Sequence, residues 1–175
     1  EMGAVSSLAQ NRSLAFRVEF AGSAPPEEEM YWRGLVLWTF DGHKWFALRE
    51  ELAAMPLLHA DGLVEYDIIM EPHRGNHVFS LDLPAGAPMG AMFTMSRTIY
   101  MAGAGSRRER LHLSSYLSAH TGELYNWERV ALELPVYGNP RSRELARKWM
   151  RESRSPRQVV DAALEMFGRE PFRYT

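Results

Sequence analysis

The sequence predicts a mainly β domain followed by C-terminal helices, an α+β chain whose strands form an antiparallel β-sandwich or a distorted barrel. Three observations lead to this fold class. Residues 1–138 contain about seven short segments in which apolar residues recur, separated by glycine and proline turn signals. Residues 139–175 instead carry apolar residues at helical spacing. The net charge changes at the same place, from −6 before residue 139 to +4 from there on.

The first predicted strands surround a hairpin signal. Leu14 to Phe20 alternates apolar and polar residues, the period of a half-buried strand. Met30 to Phe40 is apolar on both faces, which predicts one strand that is buried on both sides. Asp41-Gly42 is a turn dipeptide, so we expect the chain to return over His43 to Leu48.

Further strands are predicted at Val64–Met70, Val78–Leu83, Met92–Met101 and Leu111–Leu117. We expect Pro72 and Pro84 to end the first two, because proline has no N–H for the ladder. Ala85–Gly90 is predicted as a loop of small residues and Ala102–Ser106 as a flexible glycine-rich loop. Glu50 to Met55 gives a weak signal for a helical turn.

Two helices are predicted after residue 138. The first begins at Asn139-Pro140, with Asn139 as its cap, and the second at the capping box Ser155-Pro156-Arg157-Gln158. Gly168 is expected to end the second helix. The apolar positions of the two helices are Leu145, Ala146, Trp149 and Met150 in the first, and Val160, Ala163, Leu164 and Phe167 in the second.

Composition excludes several classes of function. The 175 residues carry 20 basic and 22 acidic side chains, a formal charge of −2, which argues against a general nucleic-acid binder. Zero cysteines exclude a disulfide scaffold, a thiolate zinc site and a cysteine nucleophile within these residues. No stretch approaches 18 consecutive apolar residues, so we expect no membrane span here.

Histidines and glycines supply two weak candidate sites. Glu71, His73 and His77 lie within seven residues and are either metal ligands or polar loop residues. Polar loop residues are favoured, because the paired spacing typical of zinc ligands is missing and no further ligand lies nearby in the sequence. Gly103, Gly105 and Ser106 lack the following Lys-Ser/Thr pair of a phosphate loop. The remaining histidines are scattered and are expected at the surface: His43, His59, His112 and His120.

Three larger sets leave their alternatives open. The carboxylates Asp41, Glu50, Glu51 and Glu71 are more simply surface residues than one acid–base site. The basic residues are either an ordinary helix surface or a surface for an anionic membrane or an acidic partner: Arg141, Arg143, Arg147, Lys148, Arg151, Arg154 and Arg157. The aromatic residues either pack in the core or line a peptide or glycan groove: Tyr31, Trp32, Trp38, Phe40, Trp45 and Phe46.

Several segments in order carry a more specific signal. They read F-R-V-E-F from Phe16, Y-W-R-G from Tyr31, F-D-G-H-K-W from Phe40, E-P at Glu71 and L-D-L-P from Leu81. This series resembles the periplasmic N-terminal region of bacterial inner-membrane transglutaminase-like proteins of the TgpA type. Residues 155–175 look like the opening helix and strand of the papain-like transglutaminase core, so the resemblance covers residues 13–175.

The resemblance implies a division into residues 1–138, a periplasmic β domain, and residues 139–175, a linker helix with the start of the transglutaminase-like domain. It implies a parent protein, anchored in the inner membrane, that transfers a glutamine acyl group to an amine through a Cys-His-Asp site. We expect that cysteine to lie beyond Thr175. No catalytic, cofactor-binding or metal-binding residue is therefore carried over to this sequence, and no cofactor is expected.

The expected role is to support the catalytic core, with the remainder of its own chain as the partner and with no nucleic acid bound. The protein substrate is not indicated by the sequence. A different class of function remains open, a stand-alone β module that binds peptide or glycan through Tyr31, Trp32, Trp38 and Trp45. Burial distinguishes the two, because a binding groove needs at least three of these four side chains exposed along it.

Overall fold

The structure is a computed structural model that describes residues 13–47, 59–120 and 126–171. Strands dominate the first part of the chain and two helices follow. Within the described residues the strands are β1 (Phe16–Phe20), β2 (Trp32–Arg33), β3 (Thr39–Phe40), β4 (Trp45–Phe46), β5 (His59–Met70), β6 (His77–Val78), β7 (Ser80–Leu81), β8 (Leu83–Gly86), β9 (Ala91–Phe93), β10 (Ile99–Met101) and β11 (Glu109–His120). The helices are α1 (Pro140–Glu152) and α2 (Pro156–Arg169).

The strands form open antiparallel sheets. The largest has four strands in the order β1-β5-β11-β8, and a three-stranded sheet has the order β6-β10-β9. Two smaller ribbons pair β2 with β7 and β3 with β4. The described strands form no closed barrel, so the mainly β, antiparallel prediction is confirmed in its open, layered form.

One hydrophobic core lies under the four-stranded sheet. On β5 every second residue points inward, so that Tyr66, Ile68 and Met70 are buried while their neighbours reach the surface. Leu111 and Leu113 continue the same pattern on β11, which pairs with β5 along most of its length. The long alternating runs thus formed the strands that the sequence predicted. The other buried core residues come from the smaller strands and a turn: Val78, Leu81, Ile99, Met101 and Ala104.

Three hydrogen bonds close a ring inside this core. The backbone N–H of Leu81 donates to the Tyr66 hydroxyl at 2.9 Å, and that hydroxyl lies 3.0 Å from Ser115 Oγ. Ser115 Oγ in turn donates to the carbonyl oxygen of Leu81 at 3.3 Å. Burial raises the pKa of Tyr66. The hydroxyl therefore stays protonated and joins β5, β7 and β11.

The predicted single strand over Met30–Phe40 is wrong. The segment forms two strands of two residues, β2 and β3, which pair with different partners. The prediction of a hairpin at Asp41-Gly42 is confirmed, since β3 and β4 pair antiparallel. The segment is also not buried on both sides, since Tyr31, Leu35 and Leu37 are exposed. An apolar run by itself does not distinguish one long strand from two short ones.

Three further strand predictions need correction. Val78–Leu83 contains parts of three short strands, β6, β7 and β8, and Met92–Met101 contains parts of two, β9 and β10, which are joined by a tight turn at residues 94–98. Pro84 does not end a strand, since it lies inside β8 at the edge of the four-stranded sheet, where proline is tolerated. The predicted loop Ala85–Gly90 therefore begins two residues later. The weak helical turn at Glu50–Met55 lies outside the described residues.

Both helices begin where the sequence predicts. Pro140 is the first residue of α1, and Asn139 occupies the cap position, where its carbonyl oxygen accepts from the N–H of Arg143 at 3.1 Å. Its φ is 48° and its side chain makes no capping bond. Ser155 Oγ accepts a hydrogen bond from the N–H of Gln158 at 3.4 Å and caps α2 as expected. The Gln158 side chain accepts from the N–H of Arg154, one residue before its usual partner in a capping box.

The chain separates into two compact units. One comprises residues 13–40 and 44–133, which contain the strands and the core. The described residues of the other are 41–43 and 134–171, which contain both helices. Among the described residues, no helix combines the length and the apolar character that crossing a bilayer requires.

Candidate functional site

Ion pairs join the sequence motifs to one another. Arg17, from the F-R-V-E-F segment, lies with its Nη1 atom 3.1 Å from Oε1 of Glu71 in the E-P segment. Arg33, from Y-W-R-G, donates from Nε to Oδ1 of Asp82 in L-D-L-P at 2.7 Å. Carboxylates held in this way are structural partners of arginine. The motif residues therefore hold distant segments of the fold together.

Close packing accounts for other motif residues. The Trp32 ring lies 5.2 Å from Phe16 and 5.6 Å from Tyr66, centroid to centroid, in contact with the core. A Cβ atom at Gly34 would come within 2.8 Å of the Phe79 ring, so only glycine fits there without a shift. The ring at Phe40 stacks on that of Trp45 across the hairpin.

The predicted aromatic groove is not supported by these positions. Trp32 packs against the core, and Trp38 donates its indole N–H to Ser96 Oγ at 2.8 Å. Tyr31 and Trp45 are 66% and 49% exposed. Trp32 and Trp38 thus stabilise the fold, and only Tyr31 and Trp45 of the four remain exposed, fewer than the three that a groove needs.

The histidine pair is held by the backbone. His73 places Nδ1 at 3.2 Å from the Glu71 carbonyl oxygen and Nε2 at 2.9 Å from that of His77, so both nitrogens that could bind a metal face carbonyls. Burial, and secondarily the charge of His73, lowers the pKa of His77. In the described part of the chain, no three His, Cys, Asp or Glu side chains are grouped as metal ligands would be.

A network of charges crosses the outer face of the large sheet. Asp67 on β5 accepts from His112 Nδ1 at 2.8 Å and from Arg110 Nε at 2.9 Å, both on β11. Arg110 also reaches Glu19 on β1 at 2.6 Å. Two hydrogen bonds lower the pKa of Asp67, and the one from His112 has a larger effect than the one from Arg110. Exposed networks of this kind contribute little to stability.

The other predicted surface residues are dispersed. Oδ1 of Asp41 accepts from the backbone N–H of His43 at 2.7 Å, a contact within the turn. His59 and His120 lie opposite each other in the register of β5 and β11. The pair Glu50-Glu51 lies outside the described residues.

The glycine-rich run is a packed turn, and the prediction of a flexible loop is wrong. Ala104 and Gly105 are buried in a 3₁₀ turn over Ala104–Ser106. A Cβ atom on Gly105 would lie 2.2 Å from the carbonyl oxygen of His73, whose N–H donates to the Gly105 carbonyl at 3.0 Å. Glycine is needed here because two backbone segments approach closely.

The basic side chains of the helices are mixed with acidic ones. Arg141, Lys148 and Arg151 line a groove of about 720 Å³ on α1 and α2, together with Glu144 and Glu170. Glu144 and Lys148, four residues apart on α1, form no ion pair with each other in the described part of the chain. Arg157 instead pairs with Asp161 at 3.0 Å. The acidic neighbours dilute the positive charge of this surface.

A cavity that the sequence did not indicate lies where β8 and β11 meet the turn between β9 and β10. It measures about 360 Å³ and contains one charged side chain, that of Arg97, among the described residues that line it. We call it the Arg97 cavity. Its described walls are Ala60, Leu83, Pro84, Ala85, Phe93, Arg97 and Tyr116. These residues come from separate segments, so no local pattern could have revealed them.

Comparison with known proteins gives consistent matches along the chain. The model of a family described as the TgpA N-terminal domain matches residues 1–122. The protein-glutamine gamma-glutamyltransferase of Pseudomonas aeruginosa is 31% identical over 180 residues, which cover 99% of this chain and 26% of that protein. The chain thus spans about a quarter of the length of this curated relative.

Solved structures agree with this match. A crystal structure of the periplasmic domain of TgpA from Pseudomonas aeruginosa superposes with a TM-score of 0.85, at 30% identity, over 99% of this chain and 62% of the solved one. A second crystal structure of that domain, bound to ethylmercury, has a TM-score of 0.81 at the same identity and covers 98% and 62%.

Proposed function

The chain belongs to the TgpA N-terminal domain family, and from this premise we propose that it is the non-catalytic part of a membrane-anchored transglutaminase-like acyltransferase that supports the catalytic core. The chain is periplasmic, like the solved TgpA domains that it matches. In the proposal the anchor lies in the inner membrane. The whole protein transfers a glutamine acyl group, as the name of the curated relative suggests. In the proposal a cysteine thioester carries that group to an amine.

An apolar stripe on α2 carries the proposal. Val160, Leu164 and Phe167 lie on one face of the helix and are between 53% and 63% exposed. The same helix has partly buried residues on another face, among them Ala162 and Met166, which line a groove with α1. A helix with apolar residues on two faces is suited to packing against two neighbours. We propose that the remainder of a transglutaminase-like domain covers the stripe.

The division of the chain follows the same reasoning. We propose a β domain over residues 1–138 and, over residues 139–175, a linker helix with the beginning of the transglutaminase-like domain. The separate core of residues 13–40 and 44–133 supports this division. Deleting residues 139–175 should barely lower the melting temperature of the β domain, and a large decrease would show that the helices belong to it.

Two matched serine substitutions test the covered stripe. Leu164 and Leu63 are exposed to similar extents, 63% and 56%, so Leu164→Ser and Leu63→Ser should each change the stability of the 175-residue chain little. In a longer protein that includes the transglutaminase-like core, Leu164→Ser should cost about 1.5–3 kcal/mol, the value of burying a leucine side chain. Leu63→Ser should remain neutral there. Equal, small effects of both in the longer protein would contradict the proposal.

An amine-incorporation assay tests the division of labour. The 175 residues contain no cysteine, so the chain has no thiol from which the proposed thioester could form. We expect no transfer of a labelled amine to a glutamine-containing protein by this chain, and transfer by a longer protein that contains the core. Turnover by the 175-residue chain would show that the non-catalytic assignment is wrong.

A further inference from the structure

The backbone holds Arg97 in a conformation that disfavours a side chain. Its φ of 57° lies in the left-handed region, which is unfavourable for a residue other than glycine because the Cβ atom comes close to the backbone. The surrounding turn is well fixed, because the N–H of Thr94 donates to the carbonyl of Thr98 at 2.9 Å and that of Arg97 to Thr94 at 3.0 Å. A residue keeps such a strained backbone conformation only where the surrounding contacts impose it, and residues of this kind are frequent at ligand sites.

Contacts from outside the turn hold the residue before Arg97. Arg33 Nη1 donates to the carbonyl oxygen of Ser96 at 3.3 Å, and Trp38 Nε1 donates to its hydroxyl at 2.8 Å. Thr94 and Thr98 are buried and their hydroxyl oxygens lie 2.8 Å apart. The position of the arginine is thus set before any ligand arrives, which lowers the entropic cost of binding.

The guanidinium group retains donors for a ligand. Its Nη2 atom donates to Oε1 of Glu128 at 3.2 Å, and this glutamate is only 4% exposed. Within the described residues, Arg97 Nε and Nη1 have no hydrogen-bond partner. Glu128 also takes part in a further interaction. A planar guanidinium with free donors matches a carboxylate, which can accept two parallel hydrogen bonds.

The rest of the cavity suits an apolar group of small size. Leu83, Phe93 and Tyr116 provide aliphatic and aromatic walls. The volume of about 360 Å³ lies near the lower end of the roughly 300–1,000 Å³ range of ligand pockets. One wall is irregular, because the register of β8 against β11 shifts at Ser114/Ser115 and leaves Ala85 as an extra residue. Bulges of this kind are frequent beside functional sites.

We propose that the Arg97 cavity binds a small carboxylate ligand with an apolar group, the carboxylate on the Arg97 guanidinium and the apolar group against Leu83, Phe93 and Tyr116. The C-terminal residue of a peptide and a free small acid share this chemistry. The alternative is that Arg97 serves only as a structural partner of Glu128, and then neither compound binds.

Titration with a matched pair of compounds tests the charge requirement. N-acetyl-leucine carries the carboxylate, and N-acetyl-leucinamide is its neutral counterpart. We expect saturable shifts of amide NMR signals around the cavity when the acid is added to the 175-residue chain, and at least tenfold weaker binding of the amide. Equal affinity for the two compounds, or no saturable shifts with either, would overturn the proposal.

Substitutions at Arg97 and at a wall of the Arg97 cavity distinguish a loss of binding from a loss of folding. Arg97→Asn keeps a residue that tolerates the left-handed region but removes the guanidinium, and it should abolish binding. Arg107→Asn is the matched control, at an exposed arginine that follows β10 in the chain, and this variant should bind normally. Ala85→Leu fills the cavity with Arg97 intact and should also abolish binding, whereas Ala102→Leu, at an exposed alanine, should not. Undiminished binding by Arg97→Asn or Ala85→Leu would refute the site.

A comparison of peptides with N-acetyl-leucine identifies the source of the carboxylate. Gly-Gly-Leu with a free C-terminus is compared with the same peptide amidated and with N-acetyl-leucine. Tighter binding of the free peptide than of N-acetyl-leucine would assign the site to peptide C-termini, and equal binding would assign it to small acids. Both outcomes support a carboxylate site, and equal binding of the free and amidated peptides would contradict it.

Discussion

Replacing Tyr66 by phenylalanine removes one hydroxyl from a closed ring of three buried hydrogen bonds. The backbone N–H of Leu81 would lose its acceptor, and Ser115 Oγ would lose the donor that faces it. Tyr66 and Ser115 are 0% exposed and Leu81 is 1% exposed, so water cannot replace the missing group. A buried donor left without an acceptor costs about 1–3 kcal/mol.

We therefore expect Tyr66→Phe to lower the free energy of unfolding by about 2 kcal/mol, the middle of that range. For a chain of this length, each kcal/mol shifts the melting temperature by about 2–4 °C, which gives a decrease of about 4–8 °C. Thermal unfolding followed by circular dichroism measures the shift. Urea unfolding gives the free energy directly and shows whether the transition remains two-state.

Tyr100→Phe is the matched control, because it removes the same hydroxyl from a hydrogen bond at the surface. Asn76 Nδ2 donates to the Tyr100 hydroxyl at 3.3 Å in an exposed position, so water can take its place. We expect this variant to change stability by less than about 0.5 kcal/mol. Equal effects of the two substitutions would refute the argument that an unsatisfied buried donor sets the cost. Ser115→Ala, combined with Tyr66→Phe in a double-mutant cycle, measures the coupling inside the ring.

Three other substitutions test local features of the fold. Gly105→Ala should destabilise by about 1–3 kcal/mol because its Cβ would meet backbone atoms, whereas Gly22→Ala, in open space, should be neutral or slightly stabilising in the same thermal assay. His77 has a lowered pKa in the folded state, so the unfolded state binds more protons below about pH 6.5. Stability should therefore fall on acidification through that range and fall less in His77→Gln, and identical pH profiles would contradict this reasoning. Ser80→Ala should leave the melting temperature unchanged or raise it, because the buried Ser80 hydroxyl has no hydrogen-bond partner among the described residues; a large decrease would reveal one.

Long alternating segments were predictable because one residue in two faces the core. Val64–Met70 and Leu111–Leu117 lie within the two long strands β5 and β11, whose pairing forms the centre of the large sheet. Helix starts were predictable for a similar reason, since Pro140 and Ser155-Pro156 act through their own backbone geometry. These signals are local and do not depend on which segments become neighbours.

Short strands were not predictable in the same way. Trp32–Arg33 and Ser80–Leu81 become strands because they meet each other, and the intervening sequence contains no sign of that pairing. The composition of the glycine-rich run is typical of a flexible loop and predicts one. Its burial depends on the approach of the backbone at His73, which lies about 30 residues away along the chain.

The sequence by itself determined the class of the fold, the boundary between strands and helices, the family and the absence of a thiol nucleophile from these residues. Each of these rests on patterns or residue types that are read along the chain. The tertiary structure decided which motif residues pair, as Arg17 does with Glu71 and Arg33 with Asp82. It also created the Arg97 cavity, because a cavity consists of the space left between strands that are distant in the chain, and its charged residue depends on a turn that other segments hold in place.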